Sequence, residues 1–301
     1  MYLLHVIEMQ EVRLHMLRQV ESVRLTAPVN RIIPFSSVDG PGSRTAVFLQ
    51  GCNINCRYCH NPETRNFCIG CGACAAVCPK HALTMSQEIL YDPSRCVFCD
   101  ACIQVCPHGS SPRIRNLTPQ ETFCEIARQM PFIRGVTVSG GECMLHARFL
   151  KELFTLCKQH GLHTLIDSNG TVPFAGQTEL MEVTDGVMID IKAWNRVQHE
   201  IVTGSGNETI LANAVWLAQH GKLYEVRTVV VPGLFDAEET VRQTARLLAP
   251  FAKNRIRYKL ITYRENGVRK EYRNYTPPTR EEMERLGRIA EAEGICEVVV
   301  V

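Results

Sequence analysis

Apolar and polar positions follow one recurring rhythm from about residue 30 onward. Short runs rich in Val and Ile alternate with helix-length amphipathic stretches, which predicts βα units around a parallel sheet covered on both faces. TAVFLQG (45–51), GVTVSGG (135–141), HTLIDSN (163–169), GVMIDIK (186–192), YEVRTVVVPG (224–233) and RIRYKLITY (255–263) read as strands, with CEVVVV (296–301) as a further one. Helices are predicted near 118–130, 145–160, 208–220, 236–250 and 279–293. Residues 1–27 show only weak helical periodicity and read as an N-terminal extension, or as an upstream start ahead of Met9 or Met16.

Residues 60–115 break the rhythm. They are rich in Cys, Pro and Gly and poor in apolar periodicity, so they read as a module inserted into a main domain spanning 28–301. Such a stretch cannot close a hydrophobic core and calls for a metal staple.

Composition sharpens that expectation. Fifteen cysteines occur among 301 residues, and eleven of them fall between Cys52 and Cys106. Glu8, Glu11 and Arg13 interrupt any signal-peptide core, and no run of about 18 apolar residues could span a bilayer. The expectation is a cytoplasmic protein, without a membrane partner, whose thiols serve metal or redox chemistry instead of disulfides. A formal charge of +2 gives no case for a nucleic-acid partner.

Cys68, Cys71, Cys74 and Cys78 precede Pro79 in the spacing C-x2-C-x2-C-x3-C-P, and Cys96, Cys99, Cys102 and Cys106 repeat it before Pro107. This doubled run is the bacterial ferredoxin pattern for two [4Fe–4S] clusters, in which the fourth cysteine of each run reaches the other cluster. On that rule one cluster takes Cys68, Cys71, Cys74 and Cys106, and the other takes Cys96, Cys99, Cys102 and Cys78. A pair of zinc sites would use C-x2-C pairs and leaves the trailing Cys-Pro unexplained.

Cys52, Cys56 and Cys59 form a different set, C-x3-C-x2-C, on a loop that opens with Gly51 after the first strand. Three thiolates on a cube leave one iron open. Polar groups also gather at the strand ends, where parallel (β/α) barrels keep their chemistry: Ser139-Gly140-Gly141-Glu142, Asp167-Ser168-Asn169-Gly170, Asp190-Ile191-Lys192, Arg227, and Tyr263-Arg264. Any one of these suits a cap or turn; five together point to a site. Asp190 and Lys192 share a strand face, either as an internal ion pair or as cofactor contacts.

C-x3-C-x2-C with Tyr58 before its third cysteine resembles the radical S-adenosylmethionine signature. Together with Val38-Asp39-Gly40-Pro41-Gly42-Ser43-Arg44, Cys59-His60-Asn61-Pro62, SGGE, DSNG, MIDIK and VRTVVVPG, it resembles the glycyl-radical enzyme activating enzymes, pyruvate formate-lyase activase-like over roughly residues 30–265. Asn30 to Phe35 is similar to the YjjW-type branch. The resemblance implies a partial (β/α)6 TIM-like radical SAM barrel of the α/β class carrying the inserted module. It also implies three [4Fe–4S] clusters, with S-adenosylmethionine bound at the open iron. One electron from flavodoxin or ferredoxin cleaves the sulfonium, and a 5′-deoxyadenosyl radical removes hydrogen from the C-terminal glycine loop of a glycyl-radical enzyme. A monomer is expected.

Carried over by position, Tyr58, Cys59 and His60 flank the adenine, and Ser139, Gly140, Gly141 and Glu142 hold the methionine. Asp190, Ile191 and Lys192 follow the ribose and carboxylate, with Arg227 as a further contact. Asp167, Ser168, Met188 and Asp190 match a monovalent-cation site. Lys192 and Asp39 are the candidate catalytic residues, Asp39 near the entering glycine loop. Arg264 stands where the relative has histidine, and it is no proton acceptor near neutral pH. The alternatives are a radical S-adenosylmethionine enzyme acting on a small molecule, which VDGPG and the insertion speak against, and an iron–sulfur electron-transfer protein, which leaves SGGE and DIK unexplained.

Overall fold

The structure, a computed structural model, describes residues 24–301. Residues 1–23 of the expected extension therefore lie outside the described residues. Eleven strands form among those described: β1 (Ala27–Ser36), β2 (Arg44–Leu49), β3 (Leu83–Met85), β4 (Ile89–Tyr91), β5 (Arg115–Leu117), β6 (Gly135–Gly140), β7 (His163–Ser168), β8 (Gly186–Asp190), β9 (Leu223–Val230), β10 (Arg257–Thr262) and β11 (Glu297–Val300). Nine of them build one sheet in the order β11-β10-β9-β8-β7-β6-β2-β1-β5. Every neighbouring pair from β2 to β11 is parallel. β1 runs antiparallel to both β2 and β5.

The six strands expected from the apolar runs are all present, and the last run pairs with β10 as β11. The five expected helices appear as Pro119–Ala127, Ala147–Gln159, Glu208–Gln219, Ala237–Leu248 and Arg280–Ala292. Thr118 and Thr279 start two of them with capping boxes closed by Glu121 and Glu282. β1 has no counterpart among the expected strands. Pro28 and Pro34 interrupt it, and its pairing with β2 shifts register between Val29 and Arg31 and again between Ile33 and Ser36.

The two-residue period of the strands divides the chemistry. On one face Val47, Leu49, Val138, Ile166, Ile189 and Leu260 pack under the helices, against Phe149, Leu153, Ile210 and Leu286. Each such side chain contributes about 1.5–3 kcal/mol by leaving water. The other face carries Arg44, Thr137, Ser139, Asp167, Met188, Glu225 and Arg227, which bond to one another. Charges there need partners. Buried Arg44 donates to Thr137 Oγ1 (2.8 Å), Val136 O (2.7 Å) and His163 O (3.0 Å). Burial still lowers its pKa to about 10.

Between β2 and β5, strands β3 and β4 pair only with each other. Cys74, Leu83 and Cys102 form the small apolar cluster of this stretch. No helix among the described residues is long and apolar enough to cross a membrane.

Candidate active site

The end of β2 turns sharply at Gly51, whose φ of +100° only glycine adopts readily. The following loop is pinned on both sides. Gly51 and Cys52 donate to Thr64 O (2.7 Å) and Arg65 O (3.1 Å), and Asn55 and Arg57 donate to Thr203 O (2.8 Å) and Val202 O (2.9 Å). So held, Cys52, Cys56 and Cys59 line one cavity of about 230 Å³. Burial raises the pKa of all three thiols, that of Cys56 to about 12. Lys192 pulls each of them down, and Asn169 Nδ2 lies 3.6 Å from Cys52 Sγ. Cys56 is buried and Cys52 and Cys59 are partly buried, so a cation bound among them would have to displace their protons. Among the described residues no fourth cysteine lines this cavity.

Across the cavity stand Ser139, Gly140, Gly141, Asp167, Asp190, Lys192 and Arg227, brought together from the ends of β6 to β9. The glycines meet backbone before they meet any ligand. A Cβ on Gly140 would lie 2.2 Å from Leu49 O, and one on Gly141 would lie 2.1 Å from Gly51 O. This contact docks the SGGE turn on the root of the cysteine loop, with Gly141 and Glu142 donating to Leu49 O (2.9 Å) and Gly51 O (2.7 Å).

Glu142 lies behind the lining. Its carboxylate accepts from Ser168 Oγ (2.8 Å), Asn169 N (2.7 Å) and Met144 N (2.9 Å), and burial raises its pKa to about 7. It joins the turn after β6 to the turn after β7 and has no face toward the cavity. Lys192 Nζ meets Asp190 Oδ2 at 2.7 Å, which raises the lysine pKa against its burial and lowers that of Asp190.

Of the residues expected at a cation site, Asp167 and Met188 share a face, and the Arg227 guanidinium occupies the space between them. It reaches Asp167 Oδ1 at 3.0 Å, Met188 Sδ at 2.9 Å and Glu225 Oε1 at 2.8 Å. The Ser168 hydroxyl points the other way, to Glu142.

Tyr58 lines the cavity with its hydroxyl buried and without a partner among the described residues. His60 also lines it, its Nε2 3.1 Å from Arg264 O. The Arg264 side chain is exposed and lines no part of the cavity, because its strand has already ended at Thr262. Ile191 is buried behind the lining. Asp39 stands off as well, its carboxylate taken by Ser36 Oγ and its carbonyl by Thr137 Oγ1 at 2.6 Å.

Sequence reading missed Val229, Ile261 and Arg269. Val229 follows Arg227 by two and was legible from strand period; Arg269, which donates to Cys56 O (3.2 Å) from a loop without periodicity, carried no signal.

In the inserted stretch Cys68, Cys71, Cys74 and Cys106 line one small cavity, and Cys78, Cys96, Cys99 and Cys102 line another. The fourth cysteine of each run thus sits with the triplet of the other.

Two family descriptions match the chain: a 4Fe-4S dicluster domain over residues 67–110 and the radical SAM superfamily over residues 93–248. The chain is 32% identical to the pyruvate formate-lyase-activating enzyme of Streptococcus mutans over 92% of its own length and 96% of that chain. It is also 32% identical to the choline trimethylamine-lyase activating enzyme of Oleidesulfovibrio alaskensis, over 81% and 86% of the two chains. Among solved structures, Streptococcus suis SuiB bound to precursor peptide SuiA matches with a TM-score of 0.54 at 12% identity, covering 83% of this chain and 46% of that one. That likeness concerns the fold alone.

Proposed function

Since the chain belongs to the glycyl-radical enzyme activating enzymes of the radical SAM superfamily, we propose that Cys52, Cys56 and Cys59 hold its catalytic cluster and that the strand-end groups opposite hold S-adenosylmethionine. The observation that carries this is the single cavity in which the three thiols face Gly140, Gly141, Asp190 and Lys192. When bound, the cluster and cofactor supply a one-electron cleavage of the sulfonium that yields a 5′-deoxyadenosyl radical for abstraction from a glycine of the partner enzyme.

The chain's own residues orient and enclose. Lys192 would offer an ammonium to the cofactor carboxylate while staying paired to Asp190 Oδ2, and the Asp190 carboxylate would also face the ribose. Tyr58 and His60 close the adenine side, and Tyr58 keeps its hydroxyl proton because burial raises its pKa. Ser139 and the Gly140-Gly141 backbone face the methionine end, and Glu142 serves that contact from behind by fixing the turn. Arg227 neutralises Asp167, and a monovalent cation at Asp167, Ser168, Met188 and Asp190 would compete with its guanidinium.

The same reading takes residues 28–301 as a partial (β/α)6 barrel with residues 60–115 inserted, bearing two further clusters for a total of three. Asp39 guides the entering glycine loop, flavodoxin or ferredoxin donates the electron, and the chain acts as a cytoplasmic monomer. Equal identity to activators of two different lyases supports shared radical chemistry, with the partner recognised through its glycine loop and not its metabolite.

The test is anaerobic. Reconstituted protein with dithionite and S-adenosylmethionine is expected to form 5′-deoxyadenosine, and a glycyl doublet should appear by electron paramagnetic resonance on adding the cognate partner. Failure of both overturns the reading.

A further inference from the structure

The two cysteine cradles of the inserted stretch differ in charge. The one lined by Cys68, Cys71, Cys74 and Cys106 is otherwise lined by apolar, small or neutral residues and by His108, with no lysine, arginine or carboxylate. The other adds Lys80, Tyr91, Asp100 and Arg113 to its four cysteines. Lys80 is exposed, so water and salt screen it. Arg113 is different. Its side chain is only 8% exposed, while its carboxylate partner Asp100, 2.7 Å away, lines the same cavity but is 55% exposed and so screened by water. The guanidinium carbon lies over the Phe98 ring, 5.5 Å from its centre. Arg113 lines the same cavity as Cys78, Cys96, Cys99 and Cys102.

A cluster gains one negative charge on reduction. A desolvated cation against its thiolates stabilises the reduced form more than the oxidised one, and charge and hydrogen bonds at the sulfurs are among the terms that set such potentials. We propose that Arg113 sets the two ferredoxin-type clusters apart, holding the one ligated by Cys78, Cys96, Cys99 and Cys102 at the higher reduction potential. The inference rests on the reading that this stretch binds two [4Fe–4S] clusters. It goes beyond that reading by assigning their order and the residue that makes it. An electron entering the pair comes to rest beside Arg113.

Potentiometric titration of the anaerobically reconstituted full chain, followed by electron paramagnetic resonance, tests it. Two separable steps are expected for the inserted clusters. In R113Q the upper step moves to lower potential while the other stays, and R113K recovers part of the shift. D100N, which removes the opposing carboxylate, moves the same step upward, and K80Q moves it less than R113Q does. If R113Q does not hold its clusters, R113K and D100N decide. Unmoved steps in D100N and R113Q, equal movement of both steps, or a single merged step in the parent overturns the proposal. An iron content short of about eight beyond mutation of the catalytic cysteines would instead overturn the two-cluster reading.

Discussion

Lys192 and Asp190 give the sharpest test of a single pair, because a structural role and the proposed cofactor role fall on the same two side chains. Their 2.7 Å contact is partly shut off from solvent, with the lysine side chain 9% and the aspartate side chain 30% exposed. K192M leaves Asp190, whose side chain is 30% exposed, with only the charge of Arg227 beside it, and is expected to cost about 1–3 kcal/mol, less than truncating one partner of a fully buried pair does. D190N/K192M removes both charges and should recover much of that loss in chemical denaturation. If Lys192 also holds the cofactor, the double variant regains stability but forms no 5′-deoxyadenosine. Recovery of both would assign the pair to structure alone.

Glu142 makes a second prediction at the same scale. Its pKa rises from 4.5 to about 7 on folding, so the folded chain binds this proton more tightly than the unfolded one. The group's contribution to stability is therefore whole below pH 4.5 and is lost as pH rises through about 7. Over that window the metal-free chain should lose up to about 3 kcal/mol that E142Q does not lose. Fluorescence of Trp194 and Trp216, the two tryptophans of the chain, follows the transition. Parallel pH profiles for parent and E142Q would remove the assignment.

At the level of elements, the docking of β6 on β2 depends on glycine for steric and not conformational reasons at Gly141. Its missing Cβ is what lets Gly51 O approach. G141A is expected to cost about 3–5 kcal/mol, since backbone would have to move at the root of the cysteine loop. G161A, at a φ of +73° with nothing within 4 Å, should cost only about 1–2 kcal/mol of backbone strain. Thermal melts of the two variants make the comparison, and equal losses would deny the joint.

The parallel strands were readable because each is a covered Val/Ile run followed by an amphipathic helix. β1 was not, being antiparallel, broken by Pro28 and Pro34, and pinned by tertiary bonds such as Asn30 Nδ2 to Gln50 Oε1 at 2.7 Å. The SGGE turn was readable as a motif. That its glutamate points inward, to Ser168 and Asn169, depends on the meeting of two turns far apart in sequence.

For the whole molecule, cysteine spacing carried nearly all of the functional signal, because ligand spacing is a local property of the chain. What it could not carry is how the two sets share one body. Residues 62–67, just after the Cys52–Cys59 loop, are tied to residues 108–111, just after Cys106, by Ser111 N to Glu63 O (3.1 Å), Asn66 Nδ2 to His108 O (2.7 Å) and Ser110 Oγ to Asn66 O (2.7 Å). The cradle holding Cys106 is therefore anchored beside the Cys52–Cys59 loop, while its triplet comes from the other run.

Two consequences can be measured together on reconstituted protein. The parent is expected to hold about twelve irons, and C52A/C56A/C59A about eight, without loss of the inserted clusters' resonance signals. C106A should then erase the same signal as C71A and spare the one erased by C102A, although Cys106 and Cys102 are neighbours in sequence. If C106A matches C102A instead, each run binds its own cluster and the grouping of cysteines in the two cradles does not set ligation.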